Sequence, residues 1–345
     1  MPPLRRDVNE LIDPEKHPFH EHAAVELFLA RKGKRIVGRI AAIHNYLHVE
    51  VHRENTGFFG LFESIDDREV SSALLDAASE WLSRRGLDVM RGPASFSMNE
   101  EAGLLVDGFD GPPRVMMTYN PPWYAHHFEA YGLVKAKDLL AYFYPKAAPT
   151  ERLLKVAAKL RERYKVTLRT LDKSRFWEEV ALVRQVYNEA WQDNWGHIPM
   201  TDRELDYLAR QLKPVVEPRL VVFAYIGGEL AGFGLALPDL NVALKKMNGS
   251  LFPFGWAKAL WYSRKIDTAR VIILGVLAKY RRSGVGELLE LEMMVNAEQI
   301  GIKHAEFSWI LEDNMVMRTA LERMGATVYR TYRMYDVPIG AGANA

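Results

Sequence analysis

The chain has 345 residues, 48% hydrophobic and 26% charged, enough for two cores and ordinary for a globular protein. Its 45 lysines and arginines balance 44 acidic residues, so no global field draws in nucleic acid, and the absence of cysteine excludes disulfides, thiolate nucleophiles and thiolate metal sites. No run approaches the ~20 apolar residues of a membrane span, and Met1-Pro2-Pro3-Leu4-Arg5-Arg6-Asp7 has no apolar core after its charges, so neither a span nor a secretory leader is expected.

Residues 1–22 are polar; His17, His20 and His22 sit at spacings that could suit a metal, but no carboxylates converge nearby in sequence, and a solvated loop is expected. Val25–Ala30 and Ile36–Ala42, joined by Lys32-Gly33-Lys34, alternate as a hairpin. A strand at Gly57–Phe62 precedes a helix over about 68–85, which brings Val70, Ala73, Leu74, Ala77, Ala78 and Trp81 to one face. The loop between them, residues 63–69, is acidic and lacks glycine, so it repels a phosphate. Residues 92–113 are rich in turn formers and read equally as a connector over the sheet or as a functional loop. Asn120-Pro121-Pro122 opens a short helix ending at Tyr131-Gly132.

Residues 145–150 read as a linker, followed by a helix at 151–163 and a strand at 165–171. A helix then carries Val180, Val183, Val186, Tyr187 and Ala190 on one side, and the aromatic turn 191–201 leads to a helix at 202–213 capped by Thr201 and Glu204. A second hairpin spans 220–225 and 230–236, so its likeness to the first suggests an internal repeat. The insert 240–265 interleaves Leu244, Met247, Leu251, Phe252, Phe254, Trp256, Leu260, Trp261 and Tyr262 with five lysines and arginines. Such a mixture suits a membrane–water interface or the mouth of an apolar channel, against the plainer reading that the aromatics pack on their own domain. The strand 303–311, a helix from Asn314 to Met324 ended by Gly325, and strands over 326–335 complete the pattern, with a loose tail after Gly340.

The most informative stretch is Val271–Leu277, a short β-branched run, then Arg281-Arg282-Ser283-Gly284-Val285-Gly286, then a helix with apolar residues at 288, 289, 291, 294 and 295. Strand, basic glycine loop and helix start make a seat for a pyrophosphate: glycines allow close backbone approach, and a new helix offers unpaired amides and a positive dipole end.

These residues resemble motif A of the GCN5-related N-acetyltransferases (GNAT), Arg/Gln-x-x-Gly-x-Gly/Ala, with Arg281, Gly284 and Gly286 in its positions. Asn314, with Gly325 eleven residues later, is similar to the family's second motif. The resemblance covers 165–335, and 25–143 looks like a second copy without the phosphate loop and apparently without its first strand and helix. It implies a mixed α/β fold of two GNAT-like domains in tandem, each a mixed, largely antiparallel twisted sheet flanked by helices. The implied division is 1–145, a linker and helix at 146–164, and 165–345. It also implies that coenzyme A binds through Leu274, Val276, Arg281, Arg282, Ser283, Gly284, Val285, Gly286 and Asn314, as acyl-CoA and without a metal. Markers such as Gly38-Arg39-Ile40-Ala41-Ala42, Arg91-Gly92-Pro93 and Asn188-Glu189-Ala190-Trp191 further resemble a bacterial tandem group that includes ceramide synthases.

The implied activity is N-acyl transfer from acyl-CoA to an amine, with a long acyl chain and a sphingoid-base-like acceptor as its most specific form. Leu321 stands where the family often carries a proton-donating tyrosine. Glu312, Tyr329, Tyr332 and His197 are the candidate acid–base groups, with Glu204 behind them. Two other readings stay open: a non-catalytic CoA-binding regulator, and an aminoacyl-tRNA-dependent transferase. The expected partners are acyl-CoA and an amine, with peripheral contact to a membrane through 244–262 and no nucleic acid. The expected location is the cytoplasm or the inner face of the inner membrane.

Overall fold

The structure is a computed structural model that describes residues 4–340 apart from 147–148, 193, 248–257 and 259–260. A hairpin of β1 (Ala23–Lys32) and β2 (Arg35–Asn45) is followed by β3 (Thr56–Ser64), α3 (Arg68–Ser83) and β4 (Val89–Gly92). Before and between these lie α1 (Arg5–Leu11) and α2 (Tyr46–His52). β1 and β2 pair antiparallel, as do β2 and β3, while β3 and β4 pair parallel. Short strands β5 (Ala94–Ser95), β6 (Glu101–Ala102) and β7 (Leu104–Asp107), helix α4 (Trp123–Tyr131) and the long β8 (Val134–Tyr144) complete the first half.

The order then recurs. Helix α5 (Glu151–Tyr164) leads to β9 (Val166–Thr170), α6 (Phe176–Trp191), α7 (Asp202–Leu212), β10 (Val221–Ile226) and β11 (Glu229–Pro238). After α8 (Asn241–Leu244) come β12 (Thr268–Val276), α9 (Val285–Gln299), β13 (His304–Leu311), α10 (Met315–Met324) and β14 (Thr327–Pro338). Again the hairpin β10–β11 is antiparallel, β11–β12 is antiparallel and β12–β13 is parallel. The repeat seen in the two hairpins therefore extends to the whole pairing scheme.

The halves are interlocked. Among the described residues twelve strands form one sheet, in the order β1-β2-β3-β4-β14-β8-β13-β12-β11-β10-β9, with β7 also on β14. Strand β8 of the first half lies beside β13 of the second, and β14, the last strand, lies beside β4 of the first. Each half thus lends its final long strand to the other, and those two strands pair with each other.

Helices α3 and α9 each bury one apolar stripe on the sheet: Val70, Leu74, Ala78 and Leu82 against Ile40 and Phe59, and Val285, Leu288, Leu289 and Met293 against Val222 and Ala236. A further core joins the halves, with Phe19, Phe96, Leu105, Tyr332 and Met334 among its members. Each such side chain, fully withdrawn from water, contributes roughly 1.5–3 kcal/mol.

One expectation is overturned here. The segment bearing His17, His20 and His22 is not a solvated loop. Phe19 is fully buried and stacks on Phe96 at 5.4 Å, and this anchor draws His17, only 5% exposed, to within 3.2 Å of Glu100. His22 lies 3.1 Å from Glu204 on α7, so the segment is a strap between the halves. The carboxylates that were missing nearby in sequence arrive from 83 and 182 positions away. Most of the aromatic insert (Leu251, Phe252, Phe254, Trp256 and Leu260) lies outside the described residues, while Trp261 is exposed and Tyr262 is flanked by Lys246 and Lys265.

Candidate active site

Strands β12 and β13 are hydrogen-bonded only from Thr268–His304 to Val271–Phe307. Beyond that point β12 continues on β11 as far as Val276, while β13 follows β8 as far as Leu311. The β13-facing edge of Ile272–Val276 is therefore released from its ladder, and a backbone donor or acceptor there must find another partner. Leu274 and Val276 stand half-buried on this stretch. A Cβ on Gly275 would meet the Trp191 ring at 2.7 Å, so only glycine lets the end of α6 close over the strand here.

Gly284 follows the released edge as the N-cap of α9, in the left-handed region at φ +75°. No side chain caps the helix, so its first amides face outward with the positive end of a 15-residue helix dipole behind them. A Cβ on Gly286 would meet nothing closer than Val276 Cγ2 at 3.8 Å, leaving the mouth of the cradle open. Arg281 and Arg282 are exposed beside it, and Arg281 also donates to the Ala190 carbonyl at 3.3 Å. Val285 is fully buried, so its contribution is the backbone amide. The Ser283 hydroxyl donates to the Tyr280 carbonyl at 2.6 Å, tightening the turn that precedes Gly284. Uncapped helix amides, a dipole end and two cations fit a pyrophosphate, while the Glu189 carboxylate accepts from the Ala278 amide earlier in the loop at 3.3 Å. Asn314 caps α10, its Oδ1 accepting from the Met317 amide at 3.2 Å.

At the root of the split lies a buried ionic network that single-chain reading missed. Arg270 and Glu306 face each other in register, 4% and 0% exposed. The Arg270 guanidinium donates to Ser308 Oγ at 2.8 Å and to the carbonyls of Val115, Met116 and Ser308. Glu306 accepts from the Ser308 hydroxyl at 2.7 Å and the Tyr329 hydroxyl at 2.8 Å, and Arg114 Nε stands 3.3 Å away. Arg114 also bonds Asp239 at 2.9 Å. Burial raises the Glu306 carboxyl above the usual range, against the pull of Arg270. The loop 113–117 of the first half thus reaches into the second through the Arg114 side chain and the carbonyls of Val115 and Met116. An isolated arginine and an isolated glutamate in two apolar strands were the available signal.

The candidate acid–base groups fall in three places. Tyr329 and Tyr332 stand at the network. Burial and the neighbouring Glu306 push the Tyr329 phenol far up, so its proton stays on oxygen and is donated to Glu306. Tyr332 is fully buried beside the Arg330 guanidinium; burial raises its pKa to about 12, and its hydroxyl donates to no acceptor among the described residues. Glu312 lies elsewhere, ion-paired to Lys135 at 2.6 Å and accepting the Asp138 amide at 3.1 Å. His197 sits in the loop between α6 and α7, where burial lowers its pKa to about 4; its Nε2 has no partner among the described residues. Glu204 is held by His22 and by its capping box with Thr201. Leu321 is fully buried in the core with Tyr142 and Phe307.

No family model matches this sequence. The chain is 39% identical over 348 residues to the protein YghO of Escherichia coli (strain K12), an alignment covering 98% of this chain and 88% of that one. It is 40% identical over 344 residues to the bacterial ceramide synthase of Caulobacter vibrioides, covering 97% and 89%. Its fold is similar to that of a tandem GNAT protein from the clavulanic acid biosynthesis pathway, with a TM-score of 0.54 at 15% identity over 93% of this chain and 84% of that one.

Proposed function

We propose that this chain, which belongs to the tandem GNAT family of YghO and the bacterial ceramide synthase, is an N-acyltransferase that takes an acyl group from coenzyme A and passes it to an amine. The observation that carries the reading is the uncapped start of α9 under Gly284, at the end of the released β12 edge. In this reading residues 165–345 hold acyl-CoA and residues 1–145 wall the acceptor side. The amides after Gly284, with Arg281 and Arg282, take the pyrophosphate. Leu274, Val276 and Asn314 line the path of the pantetheine arm.

Bound acyl-CoA supplies the activated carbonyl. The amine nitrogen bonds to the acyl carbon, the carbon–sulfur bond breaks, a base takes the amine proton and the sulfur leaves as a thiol. Tyr332 suits the donor to sulfur, being protonated at neutral pH and donating to no acceptor among the described residues. His197 is neutral at pH 7 and keeps Nε2 unpartnered among them, which lets it accept a proton, weakly.

A long acyl chain and a sphingoid-like amine are the specific form of this proposal. The name of the 40%-identical relative supports it, as does the mixture of aromatics and lysines over 244–262, which we read as peripheral contact with the inner membrane. The test is free-thiol release from palmitoyl-CoA with sphinganine against acetyl-CoA with spermine. Faster release from the first pair is expected, and equal rates would remove the lipid assignment. A second reading, CoA binding without turnover, is favoured by the buried Leu321, and binding with no thiol release from any donor would select it.

A further inference from the structure

Segment 98–103 of the first half lies beside the root of the split. Loop 116–118 ties the two together: the Met116 carbonyl accepts from Arg270 at 3.0 Å, Met117 Sδ accepts from the Ser308 hydroxyl at 3.4 Å, and the Thr118 hydroxyl donates to the Gly103 carbonyl at 2.8 Å. From the other side the loop between α6 and α7 closes on the same segment. A Cβ on Gly196 would meet Met98 Cγ at 3.2 Å, and Asn99 Nδ2 donates to the Ile198 carbonyl at 3.0 Å. The segment is thus held between the Arg270–Glu306 network and the loop that carries His197.

Glu101 is the carboxylate this segment presents. It pairs with Ser95 in the β5–β6 ladder, and its neighbour Ala102 is 2% exposed in the core with Tyr332. Successive strand side chains point to opposite faces, so Glu101 turns away from that core, and its side chain is exposed. Other carboxylates of this corner are occupied. Glu100 lies 3.2 Å from His17 and accepts the Phe96 amide, Glu306 accepts from Ser308 and Tyr329, and Asp239 pairs with Arg114. Glu101 accepts no hydrogen bond and makes no ion pair among the described residues. Solvent reaches its carboxylate, yet protein rings it: burial raises the pKa above the ordinary carboxylate value, Arg270 pulls the other way, and Glu100 is the adjoining anion. Arg270 is only 4% exposed, so an exposed glutamate that senses it stands in a recess reaching down to the root of the split. Arg114 and Glu306 stand behind Arg270, and His17 beyond Glu100.

Two further polar groups without a protein partner converge here. A Cβ on Gly103 would meet Tyr332 Cβ at 3.0 Å, so Tyr332, fully buried with its hydroxyl unpartnered among the described residues, backs onto the segment. His197, 7% exposed with Nε2 unpartnered among them, sits between Gly196 and Ile198, the two residues that meet Met98 and Asn99. Resting on the acyl-transfer reading above, we propose that Glu101 binds the acceptor as its ammonium ion and takes the first proton from it, so the first half supplies the acceptor's anion. An aliphatic amine is protonated at pH 7 and cannot attack. One N–H bond of the ammonium breaks and its proton goes to a Glu101 oxygen, which frees the nitrogen lone pair. The nitrogen then bonds to the acyl carbon and the carbon–sulfur bond breaks, as described above, and the Glu101 proton passes to solvent through the recess. A neutral alcohol of the same shape offers no charge to pair, so the site selects amines.

Thiol release by the full chain, followed from pH 6 to 10, tests this with palmitoyl-CoA and sphinganine or with acetyl-CoA and spermine, whichever pair the wild-type protein turns over faster. Glu101→Gln is expected to lower kcat/KM for the amine ~100-fold at pH 7 and to leave the Kd for the acyl-CoA unchanged. The rate of this variant is expected to climb ~10-fold per pH unit as free amine accumulates, while wild type levels off near neutral pH, so the gap closes toward pH 10. Glu101→Asp keeps the carboxylate and is expected to keep the level profile. Because Glu101 makes no hydrogen bond among the described residues, both variants are expected to melt with wild type. A loss of the same size at every pH, an equal loss of acyl-CoA affinity, or no loss at all would overturn the Glu101 assignment while the acyl-transfer reading stands. If the wild-type protein releases thiol from neither pair, that reading falls and takes this one with it.

Discussion

Asp67 and Gly284 occupy the same place in the two halves and treat it oppositely. Asp67 is the N-cap of α3, and its carboxylate accepts from the amides of Glu69 and Val70. Gly284 is the N-cap of α9 and offers no side chain to the corresponding amides. The first half thus carries its own anion where the second leaves its amides uncapped, and under the proposed reading the second alone seats a pyrophosphate. Replacing Gly284 by Asp recreates the arrangement of α3, and coenzyme A affinity is expected to fall at least ~10-fold further than with Gly284→Asn. The two substitutions share shape and both tolerate the left-handed backbone, so the difference isolates charge. Asp67→Ala is expected to lower the urea midpoint and to leave coenzyme A affinity unchanged.

The Arg270–Glu306 pair predicts where the fold is most sensitive. Glu306 is fully buried, and its charge is compensated by Arg270 and Arg114. Glu306→Gln removes the anion and strands the buried Arg270 guanidinium, while Arg114 keeps its pair with Asp239, so a loss of roughly 3–5 kcal/mol is expected. Tyr329→Phe removes one hydrogen bond to the same carboxylate and is expected to cost about 1–2 kcal/mol. Equal midpoints for Glu306→Gln and wild type would show that the network carries no net charge coupling.

Much of this architecture was legible from local chemistry. Hairpins, the β12–loop–α9 unit and the Thr201 capping box are written in contiguous residues, and each forms where the periodicity and glycines put it. What stayed hidden depends on chain segments far apart. The exchange of β8 and β14 leaves each strand's own alternation unchanged, so nothing in either strand announces its partner. Arg114, Asp239, Arg270 and Glu306 are isolated charges in sequence and become a network only when the sheet closes. The histidine strap misled because its anchor, Phe19, is a single aromatic in a polar run whose stacking partner Phe96 comes from another loop.

That strap also makes the fold sensitive to acid. Burial lowers the His17 pKa to about 4, below the ordinary value near 6.5, with His20 adding to the effect. The unfolded chain therefore binds a proton between those values that the native state refuses. Stability rises with pH across this window and is lost as pH falls from about 6.5 toward 4. His17→Phe keeps a ring beside Tyr207 and Phe96 and removes the proton. Melting temperatures measured from pH 4 to 7 are expected to fall less steeply on the acid side in this variant than in wild type; parallel curves would remove His17 from the acid response.

Glu290 works in the opposite direction. It is 7% exposed on α9, beside an apolar cavity of about 20 Å³ whose lining includes Met293, Met294 and Phe307. Burial, assisted by Glu287, raises its pKa to about 7 from an ordinary value near 4.5. Below pH 4.5 the carboxyl is protonated in native and unfolded chains alike, and its charge costs nothing. Between the two values the unfolded chain gives up the proton that the native state retains. Stability therefore declines as pH rises through this window, and the full penalty, roughly 3 kcal/mol, is present above pH 7. Glu290→Gln removes the ionisation with little change of volume. The variant is expected to melt several degrees above wild type at pH 8 and close to it at pH 5. A stabilisation of the same size at both values would trace the effect to packing around Met293 and Phe307 and exclude the carboxylate charge as its cause.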